Sequence, residues 1–168
     1  MKRRCLSAVV GLGLVLLSAS ACSKSEPGKT LTYRGAVFSR ATDVSTSAAH
    51  IYAYTPGGAA PELASEQLNV VRQERGVSTV VQTIPLVTNA VTAQGYTVSP
   101  VAGRWDALCG VKHLPSGTER TVFLIVPRGE RTVQLLHTRR ASPEEADNDC
   151  QRAAEIVTAL DATAVSVP

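Results

Sequence analysis

Cysteine and histidine are the first side chains of this sequence to consider for chemistry, and they are few. The chain of 168 residues contains four cysteines and three histidines. A thiol can pair with a second thiol, ligate a metal or act as a nucleophile beside an imidazole base. The residues concerned are Cys5, Cys22, Cys109, Cys150, His50, His113 and His137. No C-x-x-C pair occurs, and no two histidines have helical metal-ligand spacing, so the sequence does not indicate redox or metal chemistry.

Other catalytic signatures are also missing from the sequence. The part after the N-terminal segment contains no G-x-S-x-G, H-E-x-x-H, phosphate-binding G-x-x-x-x-G-K-[ST] or G-x-G-x-x-G motif. We therefore expect no catalytic residues, no metal and no cofactor. An enzyme whose site is assembled from scattered residues is the alternative.

The N-terminal segment has the composition of an export signal. Lys2, Arg3 and Arg4 precede an apolar run at residues 8–17, and small residues follow up to Cys22. This run is little more than half of the roughly 20 residues that a membrane-spanning helix needs. The sequence therefore predicts that residues 1–21 are a signal peptide.

Residues 19–22, Ala-Ser-Ala-Cys, resemble the lipobox of bacterial lipoproteins. The resemblance implies that cleavage occurs before Cys22, that its sulfur is diacylated, and that the lipid bilayer is a partner of the chain. Two or three acyl chains anchor a protein stably. Ser23, and not an Asp, follows Cys22, which implies the periplasmic face of the outer membrane if the host is Gram-negative. Ordinary secretion and an uncleaved anchor are the alternatives.

Removal of the signal changes the charge balance of the chain. It lowers the number of Lys and Arg from 17 to 14, which equals the number of Asp and Glu. A neutral domain offers no electrostatic attraction for nucleic acid, so we expect no nucleic-acid partner. Residues 22–30 then form the lipidated cysteine and a polar tether, and residues 31–168 form a single domain.

Cys109 and Cys150 are the thiols that remain in that domain. Alternation along a strand at residues 105–113 places Cys109 on the apolar face, and helical spacing places Cys150 on the inner face of the last helix. Outside the cytoplasm, two inward-facing thiols on packed layers are expected to form a disulfide. Two unpaired buried cysteines are one alternative. A redox or catalytic role, such as a Cys-His nucleophile, is the other.

Strand-forming segments are the most frequent elements of the domain. Val, Thr, Tyr and Ile are concentrated at 31–38 and 49–54 and in an antiparallel meander at 105–113, 121–126 and 132–138. Residues 77–101, which combine Val and Thr with Pro and Gly, indicate strand and loop without firm boundaries.

Two helices are predicted beside these strands. Pro61 at the start and Gly76 past the end delimit a helix at 61–75. Ser-Pro-Glu-Glu at 142–145 has the arrangement of a capping box and begins a helix that continues to about Leu160. The fold class is therefore expected to be α+β, with an antiparallel sheet in the order ββα-ββ-βββ-α and both helices packed on one face.

Two surface features are candidate contacts for a partner. Arg139 and Arg140 come just before the predicted start of the last helix, where backbone N–H groups point outward and an anion or acidic partner could bind. The loop at 54–62 contains Gly and Pro and could also contact a partner. The alternatives are solvated cations and a plain connector. Glu119 flanks a turn and is expected to face solvent.

The expected function follows from location and from the missing catalytic motifs. We expect a membrane-anchored lipoprotein of the cell envelope that acts as a non-catalytic binding or assembly module with an envelope protein as partner. An inhibitor or immunity protein against a cell-wall hydrolase is one alternative, and an enzyme with an unrecognised site is another.

Overall fold

The computed structural model describes residues 27–73, 79–142 and 150–167. In these residues eight strands form one antiparallel sheet, and two helices pack on it. The strands are β1 (Thr30–Tyr33), β2 (Ala36–Ser45), β3 (Ala49–Pro56), β4 (Glu66–Gln73), β5 (Thr97–Val101), β6 (Arg104–Leu114), β7 (Gly117–Arg128) and β8 (Arg131–Ala141). The helices are α1 (Val80–Ala93) and α2 (Ala153–Ala164). Neither helix is long and apolar enough to cross a membrane.

The sheet is curled, and α2 lies inside the curl. The strand order is β1-β2-β3-β4-β8-β7-β6-β5. Helix α2 contacts β1 at one edge and also β6, β7 and β8 near the other edge. Strands so far apart in the order reach one helix because the sheet bends around it. We call the side that holds α2 the concave face and the opposite side the convex face.

The main core fills the concave face. Side chains of a strand alternate between the two faces of a sheet, so every second strand residue points towards α2. Ile156, Val157 and Leu160 of α2 pack there against the apolar side chains of the strands. The fully buried strand residues in this core include Phe38, Tyr52, Tyr54, Leu68, Val70, Cys109, Val122, Leu124 and Leu135.

A second, smaller core lies on the convex face under α1. Val80, Val87 and Val91 of α1 pack against the alternate residues of β6 and β7, which are Leu108, Phe123 and Ile125. This helix contacts β5, β6 and β7 and leaves the β4 and β8 part of the convex face uncovered. The expected α+β fold in the order ββα-ββ-βββ-α, with both helices on one face, is therefore wrong. The described residues are mostly strand, their order is ββββ-α-ββββ-α, and the two helices lie on opposite faces of one curled sheet.

The predicted helix at 61–75 is also wrong. Residues 66–73 form β4, which pairs with β3 on one side and with β8 on the other. Leu68 and Val70 alternate onto the concave face and are buried, whereas Leu63, within the predicted helix, is 82% exposed. Pairing along both edges and burial in the core outweigh helix propensity, which is worth less than about 1 kcal/mol per residue.

Helix α1 occupies the segment for which strand and loop were expected. Thr79 is its N-cap, and reciprocal hydrogen bonds between Thr79 and Gln82 complete a capping box. Val and Thr favour strands, and Pro85 lies inside the helix, where it removes a backbone donor. The expected strand pair at 77–101 reduces to β5, and burial of the valine stripe of α1 accounts for the helix.

The remaining boundaries also differ from the expected ones. A turn at Arg34 and Gly35 divides residues 31–38 between β1 and β2. The three strands of the meander pair as expected but are longer, so that β8 reaches Ala141. Helix α2 begins at Ala153 and not at Ser142, and most of the proposed capping box, at 143–145, lies outside the described residues.

Candidate functional site

A groove runs along the convex face beside α1. It forms because α1 packs mainly on β5 to β7 and leaves most of the next strands, β8 and β4, open. Its volume is about 290 Å³. Val87, Ala90 and Val91 of α1 form one wall, and Phe123 and Leu136 form the floor. The other lining residues are Gln67, Asn69, Gln94, Tyr96, Glu119, Thr121, Gln134, Thr138 and Arg140.

Carboxamide side chains line the open part of the groove. Gln67 and Asn69 are alternate residues of β4, and Gln134 lies on the neighbouring strand β8. An amide side chain both donates and accepts hydrogen bonds without carrying a charge. Beside the apolar floor, this row can therefore bind a ligand that has both apolar groups and neutral hydrogen-bonding groups, such as a polypeptide segment.

One end of the groove is formed by Tyr96, Glu119 and Arg140. The hydroxyl of Tyr96 donates to Oε1 of Glu119. Nε of Arg140 donates to Oε2 of the same carboxylate at 2.6 Å, and a second guanidinium nitrogen donates to the carbonyl of Glu62 at 3.1 Å. Nζ of Lys112 lies 5.6 Å from the centre of the Tyr96 ring. Both carboxylate oxygens of Glu119 thus have partners, and the side chain is only 12% exposed.

The ionisation of these groups follows from their contacts. Burial, together with the hydrogen bond to Glu119 and its charge, raises the pKa of Tyr96 to about 12. Burial also opposes ionisation of Glu119, but the hydrogen bonds from Tyr96 and Arg140 outweigh it and lower the pKa of Glu119. At neutral pH the tyrosine is neutral, the carboxylate is charged and the guanidinium is charged. The glutamate and the arginine neutralise each other.

A second polar cluster lies on the concave face around His137. This histidine is 2% exposed and its ring stacks on Tyr33, with the ring centres 4.7 Å apart. Its Nε2 lies 2.5 Å from Oε1 of Glu66. Because a carboxylate can only accept, Nε2 carries the hydrogen and Nδ1 of the neutral ring carries a lone pair. Nδ1 and the Tyr33 hydroxyl have no hydrogen-bond partner among the described residues.

Burial controls the charge of this cluster as well. It lowers the pKa of His137, although the hydrogen bond to Glu66 and the charge of Glu66 act in the opposite direction. The same hydrogen bond lowers the pKa of Glu66. A lowered pKa keeps the imidazole of His137 neutral, and a lowered pKa keeps the carboxylate of Glu66 ionised. The neutral imidazole therefore donates to the ionised carboxylate. Burial raises the pKa of Tyr33 to about 12, so the tyrosine is neutral too.

The two arginines proposed as anion contacts have different surroundings. They are consecutive residues of β8 and therefore point to opposite faces of the sheet. Arg140 lies at the end of the groove, where Glu119 binds it. Arg139 is opposite Glu66 in the strand register, and its charge lowers the pKa of that carboxylate. Among the described residues, no helix begins directly after either arginine.

Of the predicted cysteine sites, Cys109 and Cys150 lie within the described residues, and Cys22 lies outside them. Cys109 and Cys150 lie side by side, with their sulfur atoms at disulfide distance and their Cα atoms 5.9 Å apart. Cys109 is fully buried in the concave core.

The loop that follows β3, also proposed as a partner contact, borders the groove. The hydroxyl of Thr55 donates to the carbonyl of Ala59 at 2.6 Å and closes the loop. The carbonyl of Glu62 then accepts from Arg140 at the groove end. The loop therefore helps to position the guanidinium.

Sequence reasoning missed Tyr96 and the row of amides, and it interpreted Glu119 as a residue facing solvent. Alternation of Leu68 and Val70 with Gln67 and Asn69 was the signal that could have identified β4 and its polar face. Nothing in the sequence brings Tyr96, Glu119 and Arg140 together, because their contacts arise across three segments of the sheet.

The described residues contain no group of three or more His, Cys, Asp or Glu that could hold a metal ion. No family model, no curated protein and no solved structure matches this chain.

Proposed function

We propose that the protein is a lipoprotein of the cell envelope, anchored through acyl chains on Cys22, and that it acts as a binding or assembly module. The convex groove is its binding site, and a segment of an envelope protein is its partner. Two independent lines of support exist, one from the N-terminal sequence and one from the groove.

The N-terminal line rests on the export signal and on the lipobox-like residues that end at Cys22. Acylation of this cysteine would hold the domain at a membrane surface. A binding module that is kept there meets membrane-associated partners at a high effective concentration.

The groove is the observation that carries the binding role. It joins an apolar floor of Phe123 and Leu136 to a row of uncharged amides. Ligand sites in proteins are typically concave and mostly apolar, with a small number of polar groups that fix the orientation of the ligand. The volume of this groove is near the lower limit for such sites, which suits a few side chains of a partner.

The ionisation states of the groove favour binding over catalysis. A general acid or base works best when its pKa is near the operating pH. The pKa of Tyr96 is raised to about 12, and that of Glu119 is lowered below its ordinary value. Both groups are therefore fixed in one protonation state at neutral pH, and they serve as a rigid end of the groove.

The anchor is tested by metabolic labelling. Cells that express the wild-type protein are given a clickable palmitate analogue, and we expect the label in the protein and the protein in the membrane fraction. Cys22→Ser should lose the label. Absence of the label from the wild-type protein would contradict the anchoring.

The groove is tested by site-specific photocrosslinking in the intact envelope. Ala90 and Asn89 are adjacent exposed residues of α1, but only Ala90 lines the groove. A photoreactive amino acid at position 90 should give a discrete adduct with one protein, and the same amino acid at position 89 should not. Ala90→Arg, with the photoreactive group moved to Gln94, should abolish that adduct. Equal adducts from positions 89 and 90, or none from position 90, would contradict a binding role for the groove.

A further inference from the structure

One end of the sheet is defined by the place where the chain enters it. Strand β1 runs from Thr30 towards the turn at Arg34, so the residues before Thr30 approach from the opposite end. We call this the entry end. Because neighbouring strands are antiparallel, the turns after β2, β5 and β7 lie at the entry end, as does the start of α1.

The entry end carries the only tryptophan of the sequence, and this side chain is exposed. Trp105 follows the turn between β5 and β6 and is 69% exposed. Val81, in the first turn of α1, is also 69% exposed. A crevice of about 260 Å³ joins these two residues to Pro127 in β7. Val44, near the end of β2, is a third large apolar residue that is half exposed at this end.

The crevice has little net charge. Glu130 and Arg131, of opposite charge, also line it. The mature chain is neutral as a whole, because Lys and Arg equal Asp and Glu after Cys22. Attraction to this end would therefore come from its apolar side chains and not from a field of one sign.

The length of the tether limits how far the anchor can be from Pro27 and Gly28, which lie beside the middle of β2. Pro27 is buried, and the carbonyl of Gly28 accepts from the hydroxyl of Tyr54 at 2.9 Å, so the domain holds the chain at these residues. Pro27 is five positions after Cys22. A chain extends by at most about 3.6 Å per residue, so the tether spans no more than about 18 Å.

We propose that the entry end lies against the lipid bilayer and that Trp105 and Val81 enter the boundary between headgroups and acyl chains. The proposal rests on the proposed function, since acylated Cys22 supplies the short tether. Tryptophan favours this boundary because its ring is apolar and its N–H can still be hydrated. The bilayer thus orients the domain, and the groove end at Tyr96, Glu119 and Arg140 faces away from it.

Trp105 is also the reporter for the test. The lipidated mature protein is reconstituted into phosphatidylcholine vesicles with or without brominated acyl chains, which quench tryptophan at short range. We expect the emission of Trp105 to fall at least twofold in the brominated vesicles. The same reduction should occur without anionic lipid, because the crevice is not basic. Val81→Asp, at an exposed position, should lower the quenching by about half or more.

A matched control moves the reporter to the far end of the sheet. Leu63 lies between β3 and β4, at the end opposite the entry end, and is exposed. In Trp105→Phe combined with Leu63→Trp, the fluorescence should be the same in both kinds of vesicle.

Flotation of the vesicles separates the two proposals. If the wild-type protein floats but Trp105 is not quenched, the bilayer contact is wrong and the anchor stands. Equal quenching of Trp105 and of tryptophan at position 63 would also overturn the contact. If the protein lacks acyl chains and does not float, the proposed anchoring fails, and the contact fails with it.

Discussion

Among individual residues, His137 shows most clearly how burial determines charge. It is almost fully enclosed on the concave face between the Tyr33 ring and the Glu66 carboxylate. Burial lowers its pKa below the ordinary value of 6.5. The folded protein therefore binds this proton less readily than the unfolded chain does. Stability from this residue is present above about pH 6.5 and is lost as the pH falls through the pKa of the folded state.

The prediction at this scale concerns the pH dependence of stability. Between about pH 8 and 5, the free energy of unfolding of the wild type should fall, by up to about 1.4 kcal/mol per pH unit in the steepest part. His137→Phe retains a ring against Tyr33 and removes the titrating group, so its profile should be flatter in this range. Denaturant unfolding at several pH values measures both proteins. Parallel profiles would show that His137 is not the residue responsible.

Contacts between elements join α2 to distant parts of the sheet. The hydroxyl of Thr163 donates to the carbonyl of Thr32 in β1 at 3.0 Å. Arg104 of β6 contacts Asp161 of α2 at 2.5 Å. The pair of Cys109 and Cys150 connects β6 to the segment just before α2. This helix is thus attached on both sides of the curl.

The prediction at the scale of elements concerns this cysteine pair. The pair spans a sequence separation of 41, and closure of such a loop should stabilise the fold by about 4 kcal/mol. Protein purified from the envelope should unfold at a lower denaturant concentration after reduction. Cys109→Ser combined with Cys150→Ser should be less stable than the wild type and insensitive to reductant. Two reactive thiols in the unfolded, unreduced wild type would contradict the disulfide.

At the scale of the whole molecule, the curled sheet separates three surfaces. The concave face is filled by α2 and the main core. The convex face is half covered by α1, and the uncovered half contains the groove. The exposed apolar residues Trp105 and Val81 lie at the entry end, away from the groove end at Glu119. The proposed partner binding and the proposed membrane contact therefore use different surfaces of the domain.

The prediction at this scale tests whether α2 holds the curl together. Leu160 is fully buried in the core between α2 and the curled sheet. Leu160→Ala should lower the free energy of unfolding by about 2–5 kcal/mol. Amide hydrogen exchange should then accelerate in both β1 and β6. Thr158→Ala, at an exposed position of the same helix, is the control and should change neither. Faster exchange at one edge alone would show that α2 does not join the two edges.

Some features of the protein could be predicted from residue order alone. Export and acylation are predictions from local motifs, and Cys22 lies outside the described residues. The meander was visible because alternating side chains and short turns are local patterns. The inward direction of Cys109 followed from strand alternation. Cys150 does meet it, but the helical position expected for Cys150 is wrong, because this residue lies before the start of α2.

Tertiary structure decided which segments became helix and strand, and it assembled the groove. Residues 66–73 form a strand because β3 and β8 pair with them, and residues 80–93 form a helix because Leu108, Phe123 and Ile125 cover its valines. Such long-range burial contributes more than the small local preferences of Val, Thr, Gln or Glu. Tyr96, Glu119 and Arg140 meet for the same reason. Their contacts depend on the alignment of separate segments, a property that single-sequence periodicity does not contain.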